Sequence, residues 1–264
     1  MEPILQAFPS FLLVFCRIAA FFVAAPVFSA RNVPTPFKLG ISFFVSLIVL
    51  TLVSGAPVPM DGNYVLSILK ETLIGLLLGF VAYVFFAAVQ IAGSFVDIQI
   101  GFSIANIIDP MTGAGSPILG NLKYMLATVL FLAFNGHHYL FSAIIDSYQW
   151  VPLDNQAFER LYQGGVTEFL VRSLSTAFEL AFQMAAPLVV ALFLVDVGLG
   201  ILARTAPQFN IFVLSMPLKI LVGLMILILL IPGFSPLFSD LFQDMIDEVR
   251  SMIQLLGGAP PAQP

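Results

Sequence analysis

Four stretches of this chain run for the length of a membrane-crossing helix without a single Asp, Glu, Lys or Arg. They are Leu39–Met60, Thr72–Val96, Tyr124–Ile145 and Ile220–Ser239. A helix spans hydrocarbon with about 20 mainly apolar residues, and few soluble folds can hide so many such segments. Two further apolar segments carry charges inside them: Ile4–Ala30 holds Arg17, and Phe169–Ile201 holds Arg172, Glu179 and Asp196. A shorter piece, Thr205–Leu218, leads into the last long one. The expected architecture is all-α: a multi-segment membrane protein of kinked helices with about six hydrophobic segments. Composition agrees, with 59% hydrophobic and only 9% charged residues against roughly 25% charged in soluble domains.

The few charges exclude several function classes. They are dispersed, so no basic patch is available to nucleic acid. One cysteine, Cys16, allows neither an internal disulfide nor a cysteine-ligated metal cluster. In its apolar run it reads as a small buried hydrophobe. The start, MEPILQAFPSFLLVF, lacks a basic n-region, so the first apolar segment is expected to stay in the mature protein. The basic residues do not orient the chain. With the N-terminus outside, one side receives Arg31, Lys38, Lys123, Arg204 and Lys219, and the other Lys70, Arg160, Arg172 and Arg250. That near-balance gives no positive-inside signal.

Prolines 26, 187, 217, 232 and 236 fall inside or at the ends of apolar segments, which predicts kinks or breaks. The interval Asp146–Thr167 reads as a surface connection, with a short amphipathic helix over Asn155–Tyr162. Ser239–Leu256 is amphipathic, carrying Leu241, Met245, Ile246, Val249 and Ile253 on one face. Residues 1–256 are expected to form a single helical unit, and 257–264 (GGAPPAQP) a disordered tail.

One run breaks the hydrocarbon pattern. Gly101–Asn121, GFSIANIIDPMTGAGSPILGN, holds four glycines, two prolines, three hydroxyl residues and Asp109. It cannot be an unbroken spanning helix. Irregular backbone at membrane depth survives only where protein buries it or water solvates it. The run is therefore an external loop or part of a pore, and composition leaves both open.

No catalytic or metal-binding pattern is present. Asp97 and Asp196 lie in separate apolar segments, as in an intramembrane aspartyl protease, where two close carboxylates share a proton. The Gly-x-Gly-Asp signature is missing, however: the order is Asp196-Val-Gly-Leu-Gly. Neighbours His137 and His138 point about 100° apart on a helix, and no metal-ligand spacing surrounds them. They read as interfacial residues beside a polar helix end at Asn135-Gly136. No phosphate cradle or nucleophile elbow occurs. The chain is expected to be no enzyme and to need no cofactor. Asp196, Gly200 and Ala203 share a helical face, and Gly75 and Gly79 stand four apart; both patterns favour close helix approach. An intramembrane carboxylate such as Asp196 also suits a proton-coupled small-solute transporter, although the paired inverted repeats of such folds are not evident.

Two stretches together resemble a known family. Gly93–Leu122 (GSFVDIQIGFSIANIIDPMTGAGSPILGNL) and Ala185–Leu224 (AAPLVVALFLVDVGLGILARTAPQFNIFVLSMPLKILVGL) are similar to segments of the flagellar biosynthetic protein FliR family. The most specific elements are Asp196-x-Gly198-x-Gly200, Ala206-Pro207-Gln208-x-Asn210 and Pro217-Leu218-Lys219. The related injectisome T subunit is the runner-up. The resemblance implies a subunit of the export gate of the flagellar type III secretion system. It would sit in the bacterial inner membrane at the flagellar basal body, in contact with membrane lipids. Its implied partners are P-type and Q-type gate subunits and other export-apparatus membrane proteins. Unfolded flagellar proteins would pass through the shared channel, driven by the proton motive force and a separate ATPase. It also implies that the loop 104–122 plugs the closed channel. Ile104, Ile107, Ile108, Asp109, Pro110, Met111, Pro117, Ile118 and Leu119 would be plug residues, with Gly113, Gly115 and Gly120 supplying backbone freedom. Asp196, Gly198, Gly200, Arg204, Pro207, Gln208, Asn210 and Lys219 would serve subunit or helix contacts.

Overall fold

The computed structural model describes residues 2–30, 32–53, 62–102, 117–153, 165–208 and 210–258. Among them all regular structure is helical: α1 (Glu2–Ala24), α2 (Thr35–Leu52), α3 (Tyr64–Ile100), α4 (Ile118–Ala133), α5 (Gly136–Trp150), α6 (Gly165–Thr205) and α7 (Ile211–Gly257). Five of these are long and apolar enough to cross a membrane, and α4 with α5 reach that standard only as a pair. The expected count of about six therefore holds.

The boundaries depart from expectation in instructive places. Tyr124–Ile145 is no single span: the chain breaks at Asn135, which takes a left-handed conformation with φ 58°. Asparagine tolerates that region better than most residues. Prolines 187, 217, 232 and 236 do not break their helices; α6 and α7 run through them. Each proline removes one hydrogen bond from a ladder of dozens, and the flanking turns hold the helix across it. Thr205–Leu218 is likewise not a separate piece, because α7 begins at Ile211. Asp146–Trp150 belongs to α5 rather than to a surface connection, and Ser147 and Tyr148 are buried there. The helix expected over Asn155–Tyr162 and most of the C-terminal tail lie outside the described residues. α7 ends at Gly257, and Gly258 (φ 77°) supplies the left-handed residue that closes many helix C-termini.

The chain divides into two compact units. Unit 1 comprises residues 1–85, 135–174 and 242–264. In it Gly75 and Gly79 of α3 meet the backbone of α1: a Cβ on Gly79 would lie 2.8 Å from the Phe21 carbonyl. The small-residue spacing thus does what it predicted. The amphipathic end of α7 buries Met245, Val249 and Ile253 in this unit, and the preceding Leu241 is buried as well. Ile246, at the edge of that face, is half-buried. α2 has inverted polarity: it buries Ser42 and Ser46 and exposes Phe44, Ile48 and Leu52. The two serines satisfy themselves on their own helix, bonding the carbonyls of Lys38 and Ser42.

At the centre of unit 1 are three charges excluded from water. Arg17, Lys70 and Glu71 are each 0% exposed. Arg17 Nε donates to Glu71 Oε2, and Lys70 Nζ lies 2.9 Å from Glu71 Oε1. The remaining donors go to the end of α5. Arg17 Nη1 donates to Ser147 Oγ at 3.0 Å, Arg17 Nη2 to the Val151 carbonyl at 2.8 Å, and Lys70 Nζ to the Pro152 carbonyl at 3.2 Å. The guanidinium also stacks over the Tyr148 ring, 4.0 Å from its centroid. Two cations at a helix C-terminus match the negative end of its dipole, and they take the carbonyls of the C-cap Val151 and of Pro152 just past it. Replacing Glu71 by Leu strands both cations in a dry site. Losing one partner of a buried pair costs about 3–5 kcal/mol, so Glu71→Leu should markedly lower the thermal unfolding midpoint of the detergent-purified protein. An unchanged midpoint would contradict the network's role.

Candidate functional site

Unit 2 comprises residues 86–134 and 175–241, and its helices converge on the last three turns of α3. The sequence dictates the need for this. α4 starts after Pro117, which occupies the N-cap position with φ −60° and offers no side-chain acceptor. The first N–H groups of any helix have no partner within it, and a serine, threonine or aspartate at the cap normally takes one of them. Here the acceptor comes from another helix. Asp97, 2% exposed on α3, accepts from Leu119 N at both carboxylate oxygens (3.0 and 3.1 Å) and from Gly120 N at 3.1 Å. A carboxylate at the positive end of a helix dipole is also electrostatically favoured. Lys123, one turn further along α4, is 3% exposed, with its Nζ 6.0 Å from the centroid of the Phe234 ring.

Capping across helices requires their backbones to come close, and two glycines permit it. A Cβ on Gly93 would lie 2.6 Å from the Gly120 nitrogen and 2.8 Å from the Leu119 carbonyl oxygen. One on Gly120 would lie 3.0 Å from the Gln90 carbonyl. A side chain at Gly93 would run into the backbone of α4, and one at Gly120 would press on Gln90 and Pro117. Gln90 Nε2 donates to Asn121 Oδ1 at 3.3 Å on the same seam. α3 then ends at Gly101, whose φ of 98° is a conformation that only glycine adopts readily. The chain thus leaves α3 at Gly101 and is tied back to it from Leu119 onward.

Two residues after Asp97, Gln99 Nε2 donates to Asp196 Oδ2 at 3.0 Å. Asp196 on α6 also forms an ion pair with Lys219 on α7. The side chains of this pair are 36% and 20% exposed, which makes it a half-wet contact of modest strength. Ile100 completes the junction against Gly223 of α7: a Cβ there would lie 2.8 Å from Ile100 Cδ1. Asp97, Gln99 and Ile100 therefore tie α4, α6 and α7 to a single stretch of α3.

Of the expected plug residues, Ile104, Ile107, Ile108, Asp109, Pro110, Met111, Gly113 and Gly115 lie outside the described residues. Pro117, Ile118 and Leu119 are placed at the head of α4, with Leu119 buried and Ile118 exposed. The stretch expected as loop to Leu122 is helical from Ile118 onward. Of the expected contact residues, Asp196 and Lys219 come together. Gly198 and Gly200 face open space, with nothing within 4 Å of an added Cβ. Arg204, Pro207 and Gln208 are exposed around the α6–α7 turn. Asn210 starts α7: its carbonyl accepts from Val213 N at 3.1 Å and its Oδ1 from the same nitrogen at 3.4 Å. Asp97 and Asp196 have separate partners and form no catalytic pair. The rings of His137 and His138 lie 4.2 Å apart at the start of α5, and no group of three metal-ligating side chains exists among the described residues. The capping role of Asp97 and the Gly93–Gly120 contact were missed by sequence reasoning. The available signal was a proline at a helix start with no capping side chain of its own.

The family model for bacterial export proteins, family 1, matches residues 8–245. The flagellar biosynthetic protein FliR of Bacillus subtilis is 45% identical over 258 residues, covering 97% of this chain and 99% of that protein. The protein of the same name from Escherichia coli is 34% identical over 226 residues, 83% of each chain. The Yop proteins translocation protein T of Yersinia pestis is 30% identical over 223 residues, covering 83% of this chain and 85% of that one.

Removing the Asp97 carboxylate leaves two buried N–H groups without acceptors, at about 1–3 kcal/mol each. Asp97→Ala should therefore destabilise the purified protein clearly. Asp97→Asn, which keeps one acceptor oxygen, should do so less. Equal midpoints for the two variants would argue against the cap.

Proposed function

This chain belongs to the bacterial export proteins, family 1, and on that premise we propose that it is a subunit of the flagellar type III protein-export gate. The observation that carries the reading is similarity along almost the whole chain to a flagellar biosynthetic protein. The injectisome counterpart is supported by a relative of lower identity and coverage, so the flagellar role is preferred. A proton-coupled solute transporter would need a carboxylate free to load and release protons. Asp196 is instead engaged by Lys219 and Gln99.

In this role the chain sits in the inner membrane at the basal body and joins P-type and Q-type subunits around a channel for unfolded flagellar proteins. The physical support is the outer surface. Met225, Ile228 and Leu229 on α7 are 64%, 66% and 77% exposed, and α6 shows Phe182, Phe193 and Leu194 likewise. Apolar patches of that extent require cover by lipid or other subunits. The stretch 104–122 acts as the channel plug, with its C-terminal end seated in the Asp97 cap.

Two outcomes follow. Cells lacking the chain should fail to secrete flagellar filament protein, and the tagged chain should co-purify with two other hydrophobic subunits. Isolation as a lone, solute-binding protein would refute the gate assignment. Deleting residues 110–117 should leave that assembly intact and make the membrane leaky to ions. Unaltered ion permeability would count against the plug.

A further inference from the structure

The two ends of the plug stretch enter and leave unit 2 at one place, and that place is built as a joint with almost no slack. Gly93 and Gly120 meet backbone to backbone, so helix–helix contact there is at its shortest possible range. Asp97 spans the contact with three hydrogen-bonding distances to Leu119 and Gly120. Separating the helices would strand a carboxylate and two N–H groups in an apolar interior, each carrying its own desolvation cost. Further along α3, Gln99 is held by Asp196, and Ile100 is seated against Gly223. The end of α3 is thus fixed from α4, α6 and α7 at once.

We propose that this α3–α4 junction is a permanent clamp: it stays closed while the gate conducts, and no stage of export separates Gly93 from Gly120 or Asp97 from the head of α4. The proposal rests on the export-gate reading and deepens it by dividing the plug stretch in two. Residues from Pro117 onward belong to the fixed frame although they read as loop in the sequence. Gly101, with its positive φ, and Pro117, with its restricted one, are the points where the frame ends. Asp97 is a positioning residue in this scheme; it acts through the backbone of α4.

The test is a cross-link across the seam. In a Cys16→Ser background, Gln90→Cys and Asn121→Cys place two thiols where a side-chain hydrogen bond now stands, and oxidation in intact cells joins α3 to α4. Flagellar protein secretion should continue undiminished after oxidation. Loss of secretion on oxidation, reversed by dithiothreitol, would overturn the clamp. Should the pair fail to assemble, the single variant Asn121→Cys decides the matter through its reaction rate with a membrane-permeant maleimide. That rate should be the same in idle cells and in cells whose gates are jammed by an arrested substrate. Faster labelling in jammed gates would mean the seam opens, and the proposal falls. The export-gate reading is tested separately: if cells lacking the chain still secrete, that reading fails whatever the thiols report.

Discussion

Hydrocarbon cannot satisfy the N–H and C=O groups left over at a helix end, and this constraint organises the interior of both units. Water or a local side chain settles the matter at the surface of a soluble protein. A chain with 9% charged residues has few such side chains, and it places them where helices stop inside protein. Asp97 serves the N-terminus of α4. Arg17 and Lys70, balanced by Glu71, serve the C-terminus of α5. The sign of charge is correct at each end for the helix dipole. The α4–α5 pair, broken at Asn135, is therefore closed at both outer ends by charges from other helices.

This use of charge explains why so little of it is left for other chemistry. Arg17, Lys70 and Glu71 hold one another, and Asp97 is taken up by the backbone of α4. Asp196 and Lys219, more exposed, join α6 to α7. Groups held in this way stabilise contacts between helices.

The helices were legible in the sequence because uncharged length is a strong signal, and the small-residue spacing at Gly75 and Gly79 correctly announced a tight crossing. Prolines 187, 217, 232 and 236 end no helix, because a long helix with intact turns on either side absorbs the loss of one bond. The end of α5 was misread because Ser147, Tyr148 and Gln149 look like surface residues. Two of them are polar for a different reason: Ser147 receives a bond from Arg17, and Tyr148 lies under its guanidinium and donates to the Val14 carbonyl. Arg17 and Ser147 are 130 positions apart, and Asp97 stands 22 from Leu119. No local pattern links such partners. Periodicity reports which face of a helix is apolar, but it does not report which distant helix supplies the cap.

The Gly93–Gly120 seam also bears on how such a chain can vary. Once the two ends of a connection are pinned together, the entropy of closing it grows only with the logarithm of its length, by about 0.6 kcal/mol per doubling. A change in the length of the connection between Gly101 and Pro117 therefore costs the framing helices little. A side chain in place of Gly93, by contrast, would collide with the backbone of α4. The seam can stay as it is while the length of the connection that it closes varies.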